Sequence, residues 1–395
     1  MMGMGKHRWF ILYTLLYIWM SGLRAAVPDD SMRISLLTCS PGEQIYAHYG
    51  HTALRVSRGM RGGDWIFNFG VFSFEEPHFL WRFIKGDCRY MLWAMPYDLF
   101  YKDYEAQGLT IYEQKLNLTL GERHRLWEAL KENARPENRA YLYNFFYDNC
   151  ATRVRDRLED ALEGKPEYPP QPEPSTFRQI TRRFTADYPW AGLGNDLCLG
   201  AEADREIGAR QEMFAPYYLM YYVSGAVVRD SCGHVRRLAE SPVVVLRGGA
   251  QSAGKCLLTP AVVAWSLVAI VLLLSWWEWR NGWCFWVIDV LAGLLVGGIG
   301  VVITFLMFFS IHPAVHANWQ LWVFNPVQLL AMPWVVWCGI KRRRTSWHKW
   351  NAAFLTLFLI FSTIIPQEFS AIVVPLAIIL IIRSCKYMLS YRERE

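Results

Sequence analysis

Beyond residue 258 the chain becomes a succession of long apolar runs, at 259–277, 283–309, 321–340, 351–365 and 371–389. A helix needs ~20 predominantly apolar residues to cross a hydrocarbon core ~30 Å thick. Most of the runs reach that length, and 351–365 is short enough to be a tilted or re-entrant segment. The last third of the chain, residues 259–395, therefore reads as an all-α transmembrane bundle of about five helices. Basic residues orient it. If 259–277 runs from outside to inside, the inner turns hold Arg280, then Lys341, Arg342, Arg343, Arg344 and Lys349, then Arg383, Lys386, Arg392 and Arg394. The outer loops around 310–320 and 366–370 then hold no Lys or Arg. That asymmetry places the C-terminus in the cytoplasm and residues 27–258 outside. Within the second run, Asp289 lies near the inner end and is expected to reach the interface.

The N-terminus carries Lys6 and Arg8 before the apolar run WFILYTLLYIWM, so residues 1–26 read as a signal peptide or an uncleaved N-terminal anchor. The segment that follows is rich in charge and in Pro/Gly turns, unlike the tail. Hydrophobic residues make up 53% of the whole chain and there are 19 Trp, but this average conceals two halves of different character. The net charge of +6 mostly reports cytoplasmic anchoring. No interleaved basic and aromatic stripe argues for nucleic acid.

The exported domain opens with strands. In HTALRVS, Thr52, Leu54 and Val56 point one way while His51, Ala53 and Arg55 point the other, the period-two pattern of a pleated strand. DWIFNFGVFSF reads as its antiparallel neighbour across the Gly-rich turn SRGMRGGD, and LTIYEQKLNL as a further strand. TLGERHRLWEALKENARPE is an amphipathic helix with Leu126, Ala129 and Leu130 on one face. A second helix starts at Cys150, with Val154, Leu158, Ala161 and Leu162 as its apolar stripe, and Gly164 and Pro166 stop it. Residues 175–238 are expected to be mostly helical, and SPVVVLRG to be a last strand or a pre-membrane segment. The resulting fold class is an α+β exported domain built on an antiparallel sheet, followed by the membrane bundle.

Two residues carry chemistry. Cys150 sits at a helix N-terminus, where the positive end of the dipole and free backbone N–H groups favour a thiolate. His51, in the first strand of the hairpin, can take its proton and make it a nucleophile for acyl transfer. Buried cysteines are more often inert, but a polar residue central in the next strand, Asn68, supplies the third member that such a site needs to orient the imidazole. Asp64 is its rival at the turn. Tyr46 and Arg55 could line the site, or equally serve as core packing and an exposed strand position. Of the exported cysteines, Cys39, Cys88, Cys150, Cys198 and Cys232, the odd count leaves at least one thiol free unless Cys256 joins them. We take Cys150 as the free one and Cys198 with Cys232 as a possible bridge. In the outer loop between the second and third spans, His312, His316, Asn318 and Asn325 cluster around Trp319 as candidates for the substrate or membrane side.

A histidine at the start of a strand, followed much later by an Asn-Cys pair at a helix start, resembles the circularly permuted papain-like superfamily that includes lecithin–retinol acyltransferase and NlpC-like hydrolases. More specifically, LLTCSPGEQIYAHYGHTALRV, IFNFGVFSF and YDNCATRVRD, with a polytopic tail holding HPAVHANWQLWVFNP, resemble the Lnb family of bacterial lipoprotein N-acyltransferases. The resemblance implies a permuted papain-like exported domain with His51 as base and Cys150 as nucleophile. It implies an inner-membrane enzyme whose catalytic domain faces the periplasm. The reaction moves an acyl chain from a phospholipid, through a Cys150 thioester, to the α-amine of a diacylglyceryl-cysteine lipoprotein. Backbone N–H groups at the start of the Cys150 helix are expected to hold the oxyanion. The partners are the phospholipid donor and the lipoprotein N-terminus; no cofactor and no metal are called for. The alternatives are a membrane-anchored papain-like cell-wall peptidase or amidase with water as acceptor, and a non-catalytic membrane scaffold.

Overall fold

The computed structural model describes residues 31–390 except 73–76, 231, 250–255, 342 and 344. The signal or anchor segment lies outside the described residues. The exported domain is organised by an antiparallel sheet formed by β1 (Arg33–Cys39), β2 (His51–Ser57), β3 (Asp64–Val71), β4 (Arg89–Pro96), β5 (Ile111–Lys115) and β6 (Ala140–Leu142), with the strand Val243–Leu246 at one edge. The order across the sheet is Val243–Leu246, β5, β1, β2, β3, β4, β6. SPVVVLRG is thus an edge strand of the sheet.

The alternation read from the sequence sets the two layers. Leu36, Leu54, Val56, Phe67 and Phe69 face one side, against Leu126 and Leu130 of α3 (Leu120–Ala134) and Val154 and Leu158 of α4 (Cys150–Ala161). Leu37, Ala53 and Ile66 face the other, against Phe100 of α2 (Tyr97–Ala106). A shorter helix, α1 (Phe79–Lys85), precedes β4. Both α3 and α4 begin with capping boxes, Thr119 with Glu122 and Asn149 with Thr152, which satisfy backbone N–H groups that have no intrahelical acceptor. Ala129 and Leu162, expected on the apolar stripes, are only half-buried.

Residues 175–238 are less helical than expected. They hold α5 (Phe177–Phe184), α6 (Pro189–Cys198) and α7 (Pro216–Gly225), but Val227–Arg229 and Val235–Arg237 form a hairpin that pairs with Lys165–Glu167. The chain reverses where the Asp230 carboxylate accepts the N–H groups of Cys232 and His234, and Gly233 takes a positive φ of 86°. The expected Cys198–Cys232 bridge is not formed: Cys198 ends α6, Cys232 is exposed at this turn, and both are free thiols.

The C-terminal region is helical: α8 (Pro260–Asn281), α9 (Trp286–Phe309), α10 (Val327–Ile340), α11 (Trp347–Phe361) and α12 (Val373–Ser390). Among the described residues, three segments are long and apolar enough to cross a membrane: Pro260–Asn281, Trp286–Phe309 and Pro313–Ile340. At 15 residues α11 is shorter than a straight crossing requires. Close packing of α9 depends on its glycines; a β-carbon at Gly297 would stand 2.7 Å from Leu329. Asp289 is not exposed at the end of α9. It is buried against Arg383 of α12, at 2.6 Å, and Arg383 also engages Glu278, to which Lys386 donates at 3.0 Å. A charge inside such a bundle is costly unless paired, and these four groups pair one another.

Candidate functional site

The site forms where the sheet splits. The ladder between β2 and β3 runs from Ser57–Asp64 to Leu54–Phe67 and stops there, so the first residues of β2 and the last of β3 diverge. On its other side β3 pairs with β4 as far as Asn68–Trp93, then shifts register before Val71–Met91. Gly70, with φ 90°, sits in that irregularity, a conformation that a side chain would strain. The start of α4 enters the opening. Cys150 is 8% exposed, and the backbone N–H of Thr52, released from the ladder, is directed at its sulfur.

His51 begins β2 and Asn68 lies on β3, with the same facing in the pleat. The Asn68 Oδ1 meets His51 Nε2, and the imidazole hydrogen-bonds to the Cys150 thiol. Because Oδ1 can only accept, Nε2 carries the proton in the neutral ring, which leaves Nδ1 with a lone pair for the thiol. The electrostatics agree with that chain. Burial opposes ionisation of Cys150, but the His51 imidazole and the N–H groups of Thr52 and Ala151 outweigh it and hold the thiol below its ordinary range. Burial also disfavours a charged His51, yet Cys150 and Asn68 raise it above the usual imidazole value. The neighbouring thiols behave in the opposite way: burial pushes Cys39, Cys88 and Cys198 up, Cys88 to about 11. Thiolate character is thus selective for Cys150 over these three.

The helix end is more occupied than expected. The Asn149 Oδ1 accepts the N–H groups of Ala151 and Thr152 at 2.9 Å each, and the Asn149 carbonyl takes that of Arg153. Of the first four helical N–H groups, only that of Cys150 remains for an oxyanion.

Several candidates lie elsewhere. Arg55, at the far end of β2 from His51, is bound to Asp64 at 2.6 Å and to Glu113 at 3.1 Å, with its guanidinium 3.6 Å from the Tyr97 ring centre. The same pair removes Asp64 from contention as the orienting group. Strand parity had placed Arg55 correctly on the His51 face, but four residues of strand separate them, about 13 Å. Tyr46 is 57% exposed, with its ring edge-on to Phe72. His48 is engaged elsewhere, with Nδ1 on the Gly42 carbonyl and its ring stacked on Tyr188.

Of the loop candidates, Asn318 and His312 link the two halves, whereas His316 and Asn325 bond within the membrane region. Asn318 donates to the Leu197 carbonyl at 2.8 Å, and its Oδ1 accepts from Gln320 and Gln367. Gln320 and Gln367 themselves reach the carbonyls of Asp196 and Leu199. His312 engages the Phe83 carbonyl on α1 through Nε2, His316 the Met307 carbonyl, and Asn325 accepts from the N–H of Val327. No described hydrogen bond joins any of the four to His51 or Cys150. Sequence reasoning missed Gln320 and Gln367, which no motif distinguishes from ordinary interfacial polar residues. It also missed Tyr141, although the aromatic run before Cys150 was conspicuous.

The fold thus sets a thiol, an imidazole and an amide side by side at the split end of an antiparallel sheet, in a domain packed on a helical region with candidate membrane spans, the architecture of a membrane protein. The family comparisons agree with both halves. The model of the Lnb N-terminal periplasmic domain matches residues 21–183, and that of the Lnb transmembrane domain matches residues 251–394. The chain belongs to the Lnb family, as a membrane protein with a periplasmic domain. No curated protein and no solved structure matches it.

Proposed function

We propose that this chain is a lipoprotein N-acyltransferase of the bacterial inner membrane, with Cys150 as nucleophile, His51 as general base and Asn68 as the residue that orients the imidazole. His51 Nδ1 takes the thiol proton and the sulfur attacks an ester carbonyl of a phospholipid. Collapse of the tetrahedral intermediate breaks the ester C–O bond, and the imidazolium returns its proton to the departing alkoxide, releasing a lysophospholipid. The acyl group is left as a thioester on Cys150. The α-amine of a diacylglyceryl-cysteine then attacks, the thiolate leaves, and the nitrogen's proton passes through His51. The N-acylated lipoprotein and the free thiol result. In this reading the sheet and α4 form a permuted papain-like unit and five helices cross the membrane, with α11 tilted or re-entrant.

The observation that carries the proposal is the Cys150–His51–Asn68 chain, with a thiol held below its ordinary range, in a family member whose exported domain rests on the membrane helices. The membrane side matters because a thioester open to bulk water would hydrolyse, whereas a lipid-facing site admits an acyl chain and excludes water. The test is mass spectrometry of lipoprotein N-termini from cells carrying the wild type or Cys150→Ser. The wild type should yield N-acylated termini and the variant free α-amines. N-acylation with a lost glyceryl ester would identify the lipoprotein's own lipid as donor in place of a phospholipid. Equal N-acylation in both cells would contradict the proposal. Peptidoglycan fragments cleaved only by the wild type would favour the hydrolase.

A further inference from the structure

Tyr141 lies on β6, opposite Tyr90 on β4, in the aromatic segment that leads to Cys150. It is 8% exposed, and its hydroxyl has no hydrogen-bond partner among the described residues. An orphan of this kind is costly in a protein interior, where nearly all buried polar groups are satisfied. The ring is also fixed. The Arg153 guanidinium lies 3.6 Å from its centre, and Arg153 is itself held by Asp148 through two hydrogen bonds of 2.6 and 2.7 Å. Arg153 stands one turn after Cys150 on α4, so the thiol and the clamp on Tyr141 are positioned by the same helix.

The hydroxyl is aimed at the site. A β-carbon built on Gly70 would stand 3.6 Å from Cys150 Cβ, 3.8 Å from the Tyr141 hydroxyl and 3.8 Å from the Tyr143 ring. These are ordinary van der Waals separations, so the point above Gly70 is bordered by the cysteine, the hydroxyl and an aromatic wall. Cys150 and the orphan hydroxyl thus flank the same face of Gly70, close enough for a carbonyl oxygen held between them to reach both. Of the helix-end N–H groups, only that of Cys150 is free to share the task, because Asn149 holds the next three.

We propose that the Tyr141 hydroxyl is the second oxyanion donor of this site, acting with the Cys150 N–H on a carbonyl oxygen seated above Gly70. The proposal rests on the acyl-transfer reading above. The hydroxyl donates a hydrogen bond and transfers no proton: burial, and then the neighbouring Cys150, push its ionisation well above the phenol's ordinary range, so the O–H persists at working pH. A carbonyl oxygen gains negative charge only as the sulfur adds to it, so the donor stabilises the transition state more than the bound ester.

The test compares full-length wild type with Tyr141→Phe in detergent, using two reagents on Cys150. Iodoacetamide alkylates the thiolate by displacement and develops no oxyanion; an activated short-chain ester acylates it through one. Alkylation rates should match across pH 5–9. Acylation by the ester should fall roughly 10²–10³-fold, the usual loss for one oxyanion donor, chiefly in kcat and not KM. The variant should melt no lower than wild type, since it deletes an unsatisfied buried group. Ester acylation at the wild-type rate would overturn the role of the hydroxyl, and so would an equal loss in both reactions, which would mark Tyr141 as structural. A wild type that alkylates but accepts no acyl group from ester or phospholipid would sink the acyl-transfer reading and this role with it.

Discussion

The thiol at Cys150 is buried, and burial alone would make it a poor nucleophile, so the proposed mechanism draws its reactivity from His51. The signs can be followed through pH. With the thiol lowered and the imidazole raised, both shifts favour the thiolate–imidazolium form over the neutral pair. Alkylation of Cys150 should therefore persist as pH falls below the ordinary thiol range, and decline only when the thiolate is finally protonated. In His51→Ala burial is no longer outweighed by the imidazole, so the titration should move upward and acyl transfer should drop by roughly 10²–10⁴-fold. A variant alkylated as fast as wild type from pH 5 to 9 would separate His51 from this thiol. The three residues that the structure brings together were legible as candidates because a helix start and a place in a strand are local properties. Sequence could not reveal Tyr141, whose hydroxyl meets the site only through a bulge at Gly70 and a clamp from α4. Arg55 misled for a related reason: parity reports the face, not the distance along the strand.

The start of α4 joins fold to site. Asn149 caps two N–H groups through Oδ1, and its Nδ2 donates to the carbonyls of Phe145 and Phe214 at 2.8 Å each. Asn149→Ala should lose the cap, about 1 kcal/mol, and strand buried carbonyls at about 1–3 kcal/mol each. A melt several degrees lower, with slower alkylation of Cys150 as the helix end frays, is expected by scanning fluorimetry. An unchanged melt would show that the cap is dispensable. Apolar periodicity made α3 and α4 legible in the sequence, alternation did the same for β2, and the Gly-rich turn after it marked β3 as its hairpin partner. The strands Val227–Arg229 and Val235–Arg237 escaped because three residues are too few for a period to be seen. Their pairing with Lys165–Glu167 is a long-range fact.

Across the whole molecule, the exported domain is bracketed onto the membrane region. Arg182 is paired with Glu368, Gln320 and Gln367 hold carbonyls at the end of α6, and Trp81 on α1 packs on Phe305 of α9. Such bracing fixes the site relative to the membrane helices, which the proposed acyl transfer needs and a tethered hydrolase would not. Residues 27–258 fused to a single unrelated transmembrane helix should keep an alkylatable Cys150 yet lose transfer, because water at ~55 M then competes for the thioester. Transfer at the full-length rate by that fusion would reduce the membrane helices to an anchor. The apolar runs and the basic inner turns announced a membrane protein at once. The bracing was illegible, since its polar residues bond to backbone carbonyls that carry no signature in the sequence.

The central claim is that an acyl group passes through Cys150, and the intermediate itself can be caught. Full-length protein is incubated with a phospholipid of defined chains and no amine acceptor, then digested and weighed. The account predicts that the peptide bearing Cys150 gains the mass of one acyl chain, that neutral hydroxylamine removes it, and that a diacylated lipopeptide with a free α-amine discharges it while becoming N-acylated. Transfer to that lipopeptide with no acyl group ever found on Cys150, or equally fast transfer by Cys150→Ser, would contradict it.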